Sequence, residues 1–219
     1  MSESYYDRLA AAYVRGRLDF MSAVPLSDLT DEQIQQTLEM GREAGLRLHR
    51  FKRTAELPRV RKILGALRSI APQELLDLGT GRGAFLWPLL DQFPDLPITC
   101  VDQLDYRVAD IQAVARGGVH NLRALQAEIG ELPFAAHSFD VVTMLEVLEH
   151  IPDTQAALAQ VSNIARRFLL LSVPSKEDNN PEHIHRFHAP QLADWLHALG
   201  WSRVKQDGVL NHIVMLASR

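Results

Sequence analysis

The sequence predicts an α/β protein: a doubly wound, mostly parallel seven-stranded sheet with an antiparallel C-terminal hairpin, preceded by a helical N-terminal extension. Three observations predict it. From Glu74 onward, short apolar runs alternate with stretches of helical spacing, the pattern of a parallel sheet covered on both faces. A glycine-rich turn, GTGRG, stands directly between the first of those runs and the helix that follows. The last two apolar stretches have no helix between them, so they pair as a hairpin at the sheet's edge.

Taken in order, Tyr5 to Phe20 and Asp31 to His49 have helical spacing. They are joined by a turn containing Pro25, with Thr30 or Asp31 as the cap. Tyr5, Tyr6, Tyr13 and Phe20 are spaced to form an apolar, core-facing stripe. A third helix runs from about Leu57 to Ile70 and stops before Pro72. Then come the strand ELLDLG and a helix over 84–92, the strand PITCVD and a helix over 106–116, and the strand LRALQAE. The strand FDVVTMLE leads to a helix over 154–166, and RFLLLSVP to a helix over 190–199. WSRVKQ and LNHIVMLAS form the hairpin. This reading makes residues 1–55 a helical lid or extension and residues 56–219 the main domain.

Composition narrows the class. Of 219 residues, 47% are hydrophobic and 23% charged, as in a soluble globular protein. No apolar run has the length of a membrane span and no charged-then-apolar leader opens the chain, so a cytoplasmic protein without a membrane partner is expected. Cys100, the one cysteine, excludes an internal disulfide and reads as a packed thiol within ITCVD. The net charge is -4, yet residues 47–68 hold eight Lys or Arg against Glu56 alone. The simplest reading is a solvated helix face. With Phe51 interleaved in RLHRFKRT, the segment also suits a phosphate backbone.

Glycine in LLDLGTGRGAF permits backbone angles barred to other residues and lets a ligand approach the main chain. Asp102 ends the next strand, where an acid accepts ribose hydroxyls. Read through Ala84 as G-x-G-x-x-A, the loop also satisfies a dinucleotide pattern, which leaves an NAD-type oxidoreductase as a rival. Two features weigh against NAD. The loop follows some 78 residues of mostly helical sequence, and Asp77 places a negative charge that repels a pyrophosphate but welcomes an ammonium group.

D-L-G-T-G-R-G (Asp77 to Gly83), V-D (Val101, Asp102), E-I-G-E-L-P-F (Glu128 to Phe134) and S-F-D-V-V (Ser138 to Val142) occur in that order. Together they resemble the successive motifs of class I S-adenosylmethionine (SAM)-dependent methyltransferases, from about Pro72 to the C-terminus. The resemblance implies SAM as cofactor. It implies Gly79 and Gly81 beneath the methionine part, Thr80 and Gly83 in the same loop, and Asp77 facing the amino group. It also implies Asp102 on the ribose, Gln103 lining the pocket, and Glu128 and Ile129 framing the adenine. Many relatives have Asp where this chain has Glu128.

The stretch EVLEHIPD puts two carboxylates and an imidazole where the fourth strand ends. If it opens a helix, Glu146, Glu149 and His150 share one face, because residues three and four apart are neighbours there. At the carboxyl end of a strand in an open α/β sheet, that face lies beside the ligand crevice, and Glu146 lines the cofactor pocket as well. Such a set suits Mg²⁺ or Mn²⁺, with Zn²⁺ also compatible. PEHIHRFH, after the fifth strand, offers His183, His185 and His188 in a loop expected to return over the same edge.

E-x-x-E-H followed by a histidine before R-F resembles the small-RNA 3′-end 2′-O-methyltransferases, in which a metal binds both hydroxyls of the terminal ribose. The matching positions are Glu146, Glu149, His150 and His185, and S-V-P-S (Ser172 to Ser175) stands where that family has a similar S-T-P-N. Two departures stand out: a shorter linker between His150 and His185, and no aromatic stretch after the histidine. The same E-x-x-E-H occurs in ubiquinone-pathway O-methyltransferases, which act on small phenols. The acceptor is therefore an RNA end or a small molecule. A metal-free positioning role, a purely structural helix start, and a non-catalytic binding protein remain as alternatives.

Overall fold

The computed structural model describes residues 3–20, 24–52, 54, 57–176 and 180–219. In chain order the elements are α1 (Glu3–Arg17), α2 (Asp31–Glu43), α3 (Pro58–Ile70), β1 (Leu75–Leu78), α4 (Leu86–Gln92), β2 (Ile98–Asp102) and α5 (Asp105–Arg116). They continue as β3 (Leu122–Gln126), β4 (Phe139–Leu145), α6 (Thr154–Ile164), β5 (Ala165–Pro174), α7 (Ala189–Ala198), β6 (Arg203–Val209) and β7 (His212–Ser218). The strands form one seven-stranded sheet in the order β3-β2-β1-β4-β5-β7-β6. β2 runs parallel to β3, β1 to β4, and β4 to β5, whereas β7 runs antiparallel to both β5 and β6. The sequence therefore predicts the strand count and the closing hairpin as observed. No helix among the described residues is long and apolar enough to cross a membrane.

Contacts divide the chain into two compact units, Met1–Glu56 with Thr80–Gln126, and Leu57–Gly79 with Ala127–Arg219. In the first unit the N-terminal helices are built into the same body as β2, α5 and β3. α1 meets α5 so closely that a Cβ on Gly16 would lie 1.9 Å from the carbonyl oxygen of Ala113, and one on Gly117 would lie 1.8 Å from that of Ala12. Tyr6 and Tyr13 are buried, as the aromatic stripe requires, but Phe20 is exposed. The Tyr13 hydroxyl donates to Asp110 at 2.9 Å, and Arg50 forms an ion pair with the same carboxylate. Burial, helped by that hydrogen bond, raises the Tyr13 hydroxyl pKa.

Phe51 is buried between Tyr13 and Trp87, with ring centroids 5.2 and 4.9 Å away. It is a core residue, not a platform on which a base could stack. α2 also stops earlier than its spacing suggests. Gly45 adopts φ +71°, its N–H donates to the Arg42 carbonyl, and the Leu46 N–H reaches back to that of Gly41. That pair of bonds closes the helix, because the left-handed residue turns the chain away from the axis. At the start, Thr30 caps α2 and Gln33 returns the bond to the Thr30 N–H.

In the second unit, β1 is buried at all four positions and the first six residues of β4 are buried. Asp140, near the amino end of β4, is completely buried. Its carboxylate accepts from Arg167 at 3.1 and 3.0 Å, from Arg166 at 3.4 Å and from the Gln73 N–H at 3.0 Å. Those arginines belong to β5. The helix predicted to reach Arg166 gives way to strand at Ala165, because Ala165 already pairs with Phe139 and Asp140 draws both guanidinium groups.

Candidate active site

The glycine loop begins where β1 ends. Asp77 is buried, and the Thr143 hydroxyl on neighbouring β4 donates to its Oδ1 at 2.6 Å. Gly79, Gly81 and Gly83 all have positive φ, at 69°, 62° and 81°. Side chains of the protein itself also require glycine at two of them. A Cβ on Gly79 would lie 2.5 Å from Val147 Cγ2, and one on Gly83 would overlap the Trp87 indole. Val147 thus wedges the turn after β4 against the first glycine of the loop.

Thr80 and Gly81 are tied to β2. The Thr80 N–H reaches the Val101 carbonyl at 3.3 Å, and the Gly81 N–H donates to Asp102 Oδ2 at 2.8 Å. Asp102 is buried, its Oδ1 accepts the Leu104 N–H at 3.0 Å, and Arg107 approaches Oδ2 at 3.4 Å. Gln103 is exposed, and its carbonyl accepts from the Gln126 amide at 3.0 Å. In the second unit, Glu128 is exposed and its carbonyl starts the single 3-10 turn Ile129–Glu131.

The acidic turn does not open a helix as its spacing suggests. Glu146 adopts φ +57°, the left-handed region that costs a side-chain-bearing residue of order 1 kcal/mol and turns the chain out of the strand. Leu148–His150 is a lone 3-10 turn, and α6 starts only at Thr154, capped by the Asp153 carboxylate on the Ala156 N–H at 3.0 Å. The shared face is therefore lost, and the carboxylates take different surroundings.

Glu146 is half-buried and faces β5 and β7. Its N–H donates to the Ser172 carbonyl at 2.9 Å, its Oε1 accepts from the Ser172 hydroxyl at 2.5 Å, and its Oε2 lies 3.1 Å from His212 Nε2. Glu149 is completely buried. Its carboxylate groups with His150 and His183, one ligand-type atom from each lying within 4.8 Å of the others. The predicted return of the histidine loop is present: the N–H groups of Ile184 and His185 both donate to the Glu149 carbonyl, at 2.9 and 3.3 Å. His150 Nδ1 contacts the Glu182 carbonyl at 2.9 Å, and His185 Nε2 contacts that of Pro152 at 3.1 Å. His183, rather than His185, joins Glu149 and His150, and His188 is exposed at the start of α7.

Sequence reasoning passes over Thr143 and His212, and reaches Ser172 only as the first residue of S-V-P-S, without its link to Glu146. For Thr143 and Ser172 a signal exists: a hydroxyl residue inside a buried strand, FDVVTML or RFLLLSVP, needs a partner. For His212 there is none, because its approach to Glu146 depends on the hairpin register.

Residues 76–167 match the family profile described as a methyltransferase domain. The ribosomal RNA small subunit methyltransferase G of Leuconostoc mesenteroides is 36% identical over 101 residues, which is 44% of this chain and 42% of that protein. The O-methyltransferase rstn1 of Aspergillus nomiae is 28% identical over 134 residues, 58% of this chain and 59% of that protein. The matched segments thus span less than two thirds of these relatives' lengths. Among solved structures, the magnesium protoporphyrin IX methyltransferase of Synechocystis PCC 6803 with bound SAH superposes with TM-score 0.60 at 15% identity, covering 94% of this chain and 93% of that one. The superposition shows that the two chains share this α/β fold.

Each compact unit supplies one buried carboxylate of the glycine-loop region. Asp102 is a buried carboxylate hydrogen-bonded to the loop's own N–H through Oδ2, and Oδ1, with one donor in Leu104, retains capacity to accept a further hydroxyl. Asp77 is a buried carboxylate at the loop's start.

Proposed function

We propose that this chain transfers a methyl group from SAM to a hydroxyl oxygen of a small acceptor. When bound, SAM supplies an electrophilic methyl group. Asp102 would receive the ribose hydroxyls, Asp77 the ammonium group, and Glu128 with Ile129 the adenine edge. Gly79, Thr80, Gly81 and Gly83 shape the main chain beneath it, and Gln103 is a further candidate contact. The family match favours this reading over the dinucleotide one.

The observation that carries the proposal is the wedge of Val147 on Gly79. It packs the residue that follows Glu146 against the first glycine of the loop, which supports a role for the acidic turn beside that glycine. A small acceptor is favoured over an RNA end because the basic segment's best nucleic-acid features have other partners. Phe51 is in the core, Arg50 is paired with Asp110, and Lys62 is paired with Asp207. Calorimetry tests the first step: SAH should bind at about micromolar strength and NAD should not. Methyl transfer to catechol against a 3′-terminal RNA oligonucleotide tests the second, and transfer to the RNA alone would overturn the choice of acceptor.

A divalent cation is a second reading, supported by the approach of Glu149, His150 and His183. One carboxylate and two imidazoles suit Mn²⁺ or Zn²⁺ better than Mg²⁺, which prefers oxygen ligands. Excess chelator should then suppress turnover and Mn²⁺ restore it. Full activity in chelator would leave Glu149 with a role in holding the histidine loop.

A further inference from the structure

Resting on the methyltransferase reading, we infer that His212, held by Glu146, is the base that takes the acceptor's hydroxyl proton. The placement follows from topology. β7 runs antiparallel to β5, so His212, its first residue, pairs with Pro174, the last residue of β5. It therefore stands at the edge where the parallel strands end, although 65 residues separate it in sequence from Glu146. At that edge an open α/β sheet gathers its ligands.

Glu146 is anchored three ways. Its backbone N–H is bound to the Ser172 carbonyl, one carboxylate oxygen accepts the Ser172 hydroxyl, and the other meets His212 Nε2. Ser172 is itself buried, so this anchor does not swing. A carboxylate oxygen accepts but does not donate, so the contact assigns the proton to Nε2 and the lone pair to Nδ1. Glu146 thereby sets the tautomer and the ring orientation, the logic of a carboxylate behind a catalytic histidine. The imidazole is half-buried, not sealed in the core. In the step, the acceptor's O–H bond breaks, the proton goes to Nδ1, and the electron pair stays on oxygen for bond formation with the methyl carbon. The left-handed Glu146 backbone fits this role, since strained residues persist where the surrounding structure over-determines them.

Two arms test the assignment on the full chain. Nitrogen-15 spectra of the imidazoles should show His212 protonated at Nε2 and bare at Nδ1, and Glu146→Gln should shift it towards a mixture of tautomers. With catechol as acceptor, His212→Gln should lower kcat about 10²- to 10⁴-fold, with melting temperature and SAH affinity unchanged. Ser172→Ala should have a smaller effect of the same kind. A wild-type His212 carrying its proton on Nδ1, or a His212→Gln variant within twofold of wild-type turnover, overturns the proposal while leaving SAM dependence intact. Failure of the wild-type chain to bind SAH removes the methyltransferase reading and this proposal together.

Discussion

Strand β4 carries one carboxylate at each end, and the two are held in opposite ways. Asp140 at the amino end is fully buried, ringed by two arginines and a backbone N–H. Glu146, just beyond the carboxyl end, is half-buried, sits in a strained backbone region, and is met by one hydroxyl and one imidazole. The first arrangement joins β4 to β5 and to the start of β1. The second leaves a carboxylate oriented and a neighbouring imidazole accessible. The same residue chemistry thus takes two different settings at the two ends of one strand, and the difference lies in burial and partners.

The largest effect should come from breaking the amino end. Asp140→Ala leaves two guanidinium groups facing a buried gap and should lower stability by about 3 kcal/mol in urea titrations, with SAH affinity retained. A loss below about 1 kcal/mol would mean that the half-exposed arginines simply turn to water and that the contrast is weaker than drawn.

Asp102 is an intermediate case, buried like Asp140 but held mainly by backbone N–H groups. Asp102→Ala should weaken SAH binding by about 1.5–3 kcal/mol in calorimetry. Unchanged affinity would place it with Asp140 as a structural carboxylate.

A third test concerns Tyr13, whose partner Asp110 is a structural carboxylate of the first unit. Burial first, and the hydrogen bond to Asp110 second, raise the Tyr13 pKa above its ordinary value. A pKa raised on folding contributes stability that is complete below the unfolded pKa of about 10 and is lost as pH rises through the folded value. Unfolding measured across that alkaline range should become easier with pH. Tyr13→Phe should flatten part of the slope, and Tyr5, also raised by burial, adds to it.

The smallest effect on stability should come from Glu146→Gly. Relief of about 1 kcal/mol of left-handed strain offsets part of the two lost side-chain hydrogen bonds, so the net loss should stay near or below 1 kcal/mol. Turnover should nevertheless collapse. A large loss of stability with intact turnover would reverse the comparison.

Much of the fold was legible because its signals are local. Apolar runs such as ITCVD and FDVVTML have the length and composition of buried strands, and the glycines of GTGRG must tolerate positive φ wherever a strand turns into a helix this tightly. The helix ends were less legible. The closure of α2 at Gly45 and the direct passage from α6 into β5 depend on backbone bonds that spacing does not encode.

By itself, the sequence determined the strand order's raw material, the glycine loop, Asp77 and Asp102 flanking it, and an acidic turn after β4. Those features lie within a few residues of one another or at strand ends, where local chemistry sets position. Only the tertiary structure decided that Glu146 leaves Glu149, that His183 replaces His185 beside Glu149 and His150, and that His212 comes within 3.1 Å of Glu146. Each of these depends on a backbone angle or a strand register, and a one-residue slip in an antiparallel pair would move the imidazole to the other face of the sheet.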